Sequence, residues 1–230
     1  VCVLDSHITA QQKSAVPKVV YYKGNIDDVN TLVHLFENEP IKVVLHLGAT
    51  FKGECVNHYR KNIQSVIPLL ELMERFKVKK FVFSSNAEVY GYTTKEIVTE
   101  NHEKNPQSTY GRSLLMIEHI LEDYKRMYNL NYIVLRNFEV VIPNKIEDER
   151  LNTDIITEIL RKKVRKTANA NVDTEKYKED DLRDYIHIND VIQAHYLAVN
   201  TLLEEQAHST VYNVSTGKGY SITQLHYICE

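Results

Sequence analysis

A chain of 230 residues, 43% hydrophobic and 26% charged, suits one large domain or a domain and a fraction, with enough apolar material for a sizeable core. A net charge of −3 with no basic block offers nothing to nucleic acid or an anionic membrane, no apolar run is long enough to span a bilayer, and no signal peptide is expected. Cys2, Cys55 and Cys229 are far apart and lack metal-ligand spacing, so no metal site is expected, and they suit a reducing, cytoplasmic setting.

In chain order, Val1–Asp5 reads as a short apolar strand ending in an acid. Val19–Lys23 is the next strand, followed by Gly24-Asn25-Ile26. Asp27-Asp28 then caps a helix through Leu32, Leu35 and Phe36. Lys42–Leu47 is a buried strand followed by Gly48-Ala49-Thr50, and His46 within it reads as a core or strand-end histidine. The spacing of Ile63, Val66, Ile67, Leu70 and Met73 predicts a helix over Tyr59–Phe76 with one apolar face. Phe81–Phe83 is a buried strand that runs into Ser84-Ser85-Asn86. A long amphipathic helix over Tyr110–Tyr128 and a strand over Tyr132–Arg136 follow.

This alternation predicts an α/β fold, a doubly wound parallel sheet with helices on both faces. In such sheets ligands bind at the carboxyl ends of the strands. The hydroxyl-rich end of Phe81–Phe83, facing helix-borne Tyr110, is therefore a candidate reaction site. Beyond Arg136 the chain is more charged, and Lys162–Asp181 reads mostly as solvated surface without a glycine. Asp190 is expected to cap a helix over Val191–Leu203. Val211–Val214 is a strand leading into a turn at Gly217, and Ser221 and Thr223 start a last helix.

Three motifs carry a resemblance. They are Ser84-Ser85-Asn86-Ala87-Glu88-Val89-Tyr90-Gly91, then Tyr110-Gly111-Arg112-Ser113-Leu114, and Arg183-Asp184-Tyr185-Ile186-His187-Ile188-Asn189-Asp190-Val191. They resemble the extended short-chain dehydrogenase/reductase superfamily, and within it the UDP-glucose (UDP-galactose) 4-epimerases of galactose metabolism. Those proteins write Ser-Ser-Ser-Ala-Thr-Val-Tyr-Gly, Tyr-Gly-x-Ser-Lys and Arg-Asp-Tyr-Ile-His-Val-x-Asp-Leu. The resemblance spans nearly the whole chain. It implies a Rossmann-type NAD-binding domain over residues 1–140 and a substrate-binding portion over 141–230, interleaved with sheet strands. It also implies a UDP-sugar ligand and allows a homodimer.

Carried over residue by residue, the resemblance implies a cofactor set of Asp5, Asn25, Ile26, Leu47, Gly48, Ala49, Asn62, Ser84, Tyr110, Leu114 and Phe138. Asp5 matches the acid that holds the adenosine ribose, and Asn62 an asparagine lining the cofactor. The implied substrate set is Asn86, Glu139, Asn152, Arg183 and Tyr185, with Tyr110 and Asn86 as the catalytic pair. Arg183 suits a bidentate phosphate grip.

The departures fall on function. The motif lysine is Leu114, which has neither charge nor donor. A threonine has become Glu88, whose charge raises the pKa of Tyr110. The Arg-Tyr-Phe-Asn-Pro motif reads Arg136-Asn137-Phe138-Glu139-Val140, so a carboxylate faces the substrate's diphosphate. Glycines number only 7, about half the average usage, and the family's first strand and Gly-rich loop do not lie within these residues.

The reading that follows is a UDP-glucose 4-epimerase-like protein with impaired activity. The alternative is a non-catalytic protein of the same fold with a binding or regulatory role. Sugar-nucleotide dehydration or reduction is disfavoured by the Arg183–Asp190 segment and by the lack of a dehydratase-type acid pair. Without the family's first strand, Val1–Asp5 and Lys42–Leu47 are expected either to leave a gap of two strand spacings, about 10 Å, or to pair directly, with exposed edges that make the chain marginally stable or aggregation-prone.

Overall fold

The computed structural model describes residues 1–9, 18–48, 55–93, 97–142, 156, 182–204 and 208–229. The principal sheet has four parallel strands in the order β3 (Val44–His46), β4 (Lys80–Asn86), β5 (Asn131–Asn137) and β8 (Thr210–Val214). β1 (Cys2–Asp5) and β2 (Val20–Lys23) form a separate parallel pair. β1 and β3 do not pair and no described strand joins them, so of the two arrangements expected the direct pairing is absent and the two sheets stay separate among the described residues. A third small sheet holds β6 (Glu139–Val141), β7 (Arg183–His187) and β9 (Gly219–Tyr220), the last of them antiparallel.

The principal sheet is covered on both faces, as a parallel sheet requires. Alternate residues of β4 and β5 divide between two cores. Phe81, Phe83, Tyr132 and Val134 pack with α1 (Val29–Asn38), α3 (Gln64–Arg75) and α4 (Thr109–Tyr128). Val82, Ile133 and Leu135 pack with α5 (Ile188–Leu203) through Val191, Ala198 and Leu202. Each such fully buried side chain contributes about 1.5–3 kcal/mol.

Helix ends follow local chemistry. Asp28 caps α1, with its Oδ1 accepting from the N–H groups of Asn30 and Thr31. Ser108 caps α4, which stops at Asn129 in a left-handed conformation with φ of 56°.

Three sequence expectations need correction. The strand expected to be buried over Lys42–Leu47 is only Val44–His46, and at this edge of the sheet Leu45 and Leu47 are exposed. Asp190 does not cap α5; it lies in the first turn, and His187 is the cap, accepting from the N–H of Asn189 through Nδ1. An imidazole with a free acceptor nitrogen does here what the nearby carboxylate was expected to do. The helix over Tyr59–Phe76 begins earlier, as α2 (Cys55–His58), and passes through a wide π turn at Tyr59–Ile63 before α3. The wide turn rotates the following residues, so Leu69 is buried and Ile67 is 40% exposed. The Lys162–Asp181 segment lies outside the described residues. No described helix is long and apolar enough to cross a membrane. A final helix, α6, covers Ile222–Cys229.

Candidate active site

The site is built where β4 ends. Asn86 closes the strand and caps the short turn Ala87–Val89, its Oδ1 accepting from the N–H of Glu88 at 2.9 Å. The chain then turns at Gly91, with φ of 69°, where a Cβ would lie 2.0 Å from the carbonyl oxygen of Asn105. Only glycine fits this crossing, and it returns the chain towards Ser108.

Ser108 does two jobs. Its Oγ accepts from the N–H of Gly111 at 2.9 Å and donates to the Glu88 carboxylate. Gly111 lies against the Glu88 carbonyl, where a Cβ would approach to 2.6 Å. Together these contacts press the first turn of α4 against Glu88 and fix Tyr110 beside it. Burial first, and then the Glu88 charge, push the Tyr110 hydroxyl up to about 12.

Leu114, one turn along α4, has no solvent exposure and belongs to the larger core with Ile117 and Leu121. Asn62 is also fully buried, in the π turn. Its Nδ2 donates to Ser113 Oγ at 2.9 Å, and that hydroxyl donates to the Tyr110 carbonyl at 2.7 Å. Asn62 therefore braces the helix that carries Tyr110. His58, which the sequence did not single out, joins the same end of α4. Its Nδ1 lies 2.7 Å from Thr109 Oγ1, and its ring stands edge-on to Tyr110 at 6.1 Å.

Ser84 Oγ accepts from Asn137 Nδ2 at 2.9 Å, whereas Asn137 Oδ1 is buried without a hydrogen-bond partner among the described residues. Phe138 is half-buried against the larger core, and its N–H donates to the Val214 carbonyl. Behind these strand ends lies a charged pair the sequence reading also missed. Arg136 and Glu118 are 3% and 5% exposed and meet through two hydrogen bonds, Nε to Oε1 at 3.1 Å and Nη2 to Oε2 at 2.6 Å. Ser85 Oγ donates to the same carboxylate, and Arg136 Nη1 donates to Tyr90 Oη, which in turn donates to Asn213. The only signal in the sequence was a glutamate at i+8 from Tyr110 and an arginine ending a strand. A cavity of about 290 Å³ on the flank of α4 is lined by Glu118, Glu122, Tyr132 and Arg136, and is apart from Tyr110.

The remaining expected residues fall into two groups. At the ends of β1 and β2, the Gly24 N–H donates to the Asp5 carbonyl at 3.2 Å, so exposed Asp5 and exposed Asn25 are neighbours, with Ile26 packed on the core below. Asp5 Oδ1 accepts from the His7 N–H. Past β3, Leu47 and Gly48 are exposed, and the His46 ring lies under Gly48. Burial lowers His46 to about 4, and its Nε2 has no hydrogen-bond partner among the described residues. On the third sheet, Glu139 stands opposite Tyr185 in register, and Arg183 Nη1 lies 3.3 Å from Glu139 Oε1. Ala49 and Asn152 lie outside the described residues. No described group of three or more His, Cys, Asp or Glu side chains is arranged to hold a metal ion.

Towards a dinucleotide, exposed Asp5 and Asn25 present polar groups side by side, whereas Leu114 is sealed in the core and presents no donor, and burial and Glu88 favour the neutral form of Tyr110.

Comparison with known proteins gives a consistent picture. The family model for the NAD dependent epimerase/dehydratase family matches residues 1–215. The chain is 31% identical to a UDP-glucose 4-epimerase of Lactobacillus helveticus over 98% of this chain and 72% of that one. Among solved structures it is similar to a UDP-glucose 4-epimerase from Brucella ovis in complex with NAD, with a TM-score of 0.81, 30% identity, and 97% and 72% of the two chains covered. It is likewise similar to the Thermotoga maritima enzyme with UDP-glucose, with a TM-score of 0.82, 26% identity, and 99% and 72% covered.

Proposed function

Since the chain belongs to the NAD dependent epimerase/dehydratase family and is UDP-glucose 4-epimerase-like within it, we propose that it is a nucleotide-sugar protein whose epimerase chemistry is impaired. Residues 1–140 would form the dinucleotide-binding part and 141–230 the part that meets a UDP-sugar. Relatives solved with NAD, with UDP-glucose, and with NAD+ and UDP support that choice of ligands.

One observation carries the impaired reading. The tyrosine that would take a proton from the sugar hydroxyl is pushed up to about 12, and the residue one turn along the helix is a fully buried leucine. A general base works best with a pKa near the operating pH. Tyr110 is instead held protonated by burial and by Glu88, and nothing on α4 offsets that charge. Asn86 has its carbonyl oxygen committed to the Glu88 N–H, which leaves its amide as the end able to donate to a substrate oxygen. The site can thus orient a hydroxylated ligand while lacking the means to move its proton at neutral pH.

The test incubates the purified chain with UDP-galactose and NAD and couples any UDP-glucose formed to a dehydrogenase. The expected result is negligible turnover. A rate within about tenfold of a typical enzyme's roughly 10 per second would refute the reading. UDP-sugar binding without turnover would favour the alternative, a non-catalytic binding or regulatory protein.

A further inference from the structure

Glu139 and Arg183 meet because of strand register. Side chains alternate along a strand, so Arg183 and Tyr185 share one face of β7. Glu139 stands directly opposite Tyr185 on β6, which puts it on that face, one diagonal step from Arg183. The gap between Nη1 and Oε1 is 3.3 Å, and the two side chains keep 34% and 47% of their exposure, so solutes reach the pair. On the other side of β7, Tyr220 stands opposite Arg183 and carries Lys218 over its ring. The neighbouring Asp184 is engaged elsewhere, accepting from Thr216 and Gly217.

We infer that Glu139 is a specificity-determining residue: it acts as the internal counter-ion of Arg183, in the place a ligand phosphate would take, so the site does not favour a nucleoside diphosphate over the uncharged nucleoside. The inference rests on reading this strand end as part of a nucleotide-sugar site. A guanidinium donates to a phosphate or to a carboxylate through the same N–H groups, and here one of them, Nη1, already meets Glu139 Oε1. An incoming diphosphate must displace that carboxylate and then remain beside its negative charge. The nucleoside meets neither penalty. Charge at this position therefore sets which ligand is preferred, and not merely how tightly any ligand is held.

The experiment measures binding of uridine and of UDP by calorimetry, without NAD, to the full chain and two variants. Glu139→Gln keeps the shape and exposure of the side chain but removes its charge. Glu139→Gln combined with Arg183→Gln removes the grip as well, and thermal melts check that both variants remain folded. The wild-type chain is expected to bind UDP no more than about threefold tighter than uridine. Glu139→Gln should tighten UDP by about tenfold or more while leaving uridine unchanged, and the double variant should lose that gain. The inference is overturned if the wild type already prefers UDP by about tenfold or more. It is also overturned if Glu139→Gln leaves UDP affinity within about threefold of wild type, absence of binding in both included, or if the gain survives without Arg183. Turnover of UDP-galactose by the wild type would remove the impaired reading and leave these affinities to be judged on their own.

Discussion

The carboxylate of Glu88 accepts the hydroxyl proton of Ser108, the residue that caps α4 two positions before Tyr110. A negative charge is thereby pinned next to the one phenol expected to act as a base. Glu88→Gln should lower the Tyr110 pKa from about 12 yet leave it above its ordinary 10.0, because burial is the larger cause. Ultraviolet titration of tyrosinate, with Tyr110→Phe subtracted to isolate the signal, reads this directly. A drop below 10 would make Glu88 the dominant cause and contradict the burial argument.

The same shift makes the protein sensitive to alkali. Tyr110 binds its proton more tightly folded than unfolded, so its contribution to stability is complete below pH 10 and is lost as pH rises towards 12. Denaturant midpoints should fall across that window, and Tyr110→Phe should make the fall shallower. An equally steep fall in Tyr110→Phe would assign the loss to other groups.

His46 gives the opposite dependence. Its ring stacks on Phe83 and is buried, which lowers it to about 4 from its ordinary 6.5. The unfolded chain takes up the proton first, so stability is complete above pH 6.5 and decreases as pH falls towards 4, by roughly 3 kcal/mol in all. His46→Phe keeps an aromatic ring against Phe81 and Phe83 and should flatten the curve between those pH values. Urea unfolding at neutral pH and at the acid end measures the difference.

Leu114→Lys, the substitution that restores the family's motif, should fail on two counts. The position has no exposure and lies among Ile117 and Leu121, so an ammonium there is buried without a partner and should cost about 2–5 kcal/mol. Turnover of UDP-galactose should remain negligible, because burial and Glu88 still raise the pKa of Tyr110. Activity near a typical enzyme's in this variant would show that one side chain accounts for the whole defect.

Glu118→Gln should be among the most damaging single changes. It leaves the guanidinium of Arg136, 3% exposed, without its counter-ion, and breaking one partner of such a buried pair costs about 3–5 kcal/mol. Replacing both, with Glu118→Leu and Arg136→Met, should cost less than Glu118→Gln alone. Chemical denaturation of the three proteins decides the order.

Most of the sheet and its helices could be read from the residues because the causes are local. Asp28 starts α1 because its carboxylate can reach two N–H groups, and Phe81 to Phe83 are buried because a parallel strand is covered on both faces. Contacts between distant residues could not be read this way. Ser108 lies 20 positions from Glu88, and Arg183 lies 44 from Glu139; both pairings depend on how separate elements dock. The π turn at Tyr59–Ile63 contains neither glycine nor proline to announce it. Asn62 was singled out by motif position alone; that its Nδ2 reaches Ser113 Oγ, 51 positions away, depends on how the π turn docks on α4.

The separation of β1–β2 from the four-stranded sheet has a consequence in time. Amide hydrogens exchange with solvent when the segment holding them opens, and segments joined by a common ladder open together. The β1–β2 pair shares no ladder with β3, β4, β5 and β8 among the described residues. Deuterium uptake should therefore divide into two populations, with Val3 and Tyr21 labelling early and Val82 and Ile133 holding their protons until the whole molecule unfolds.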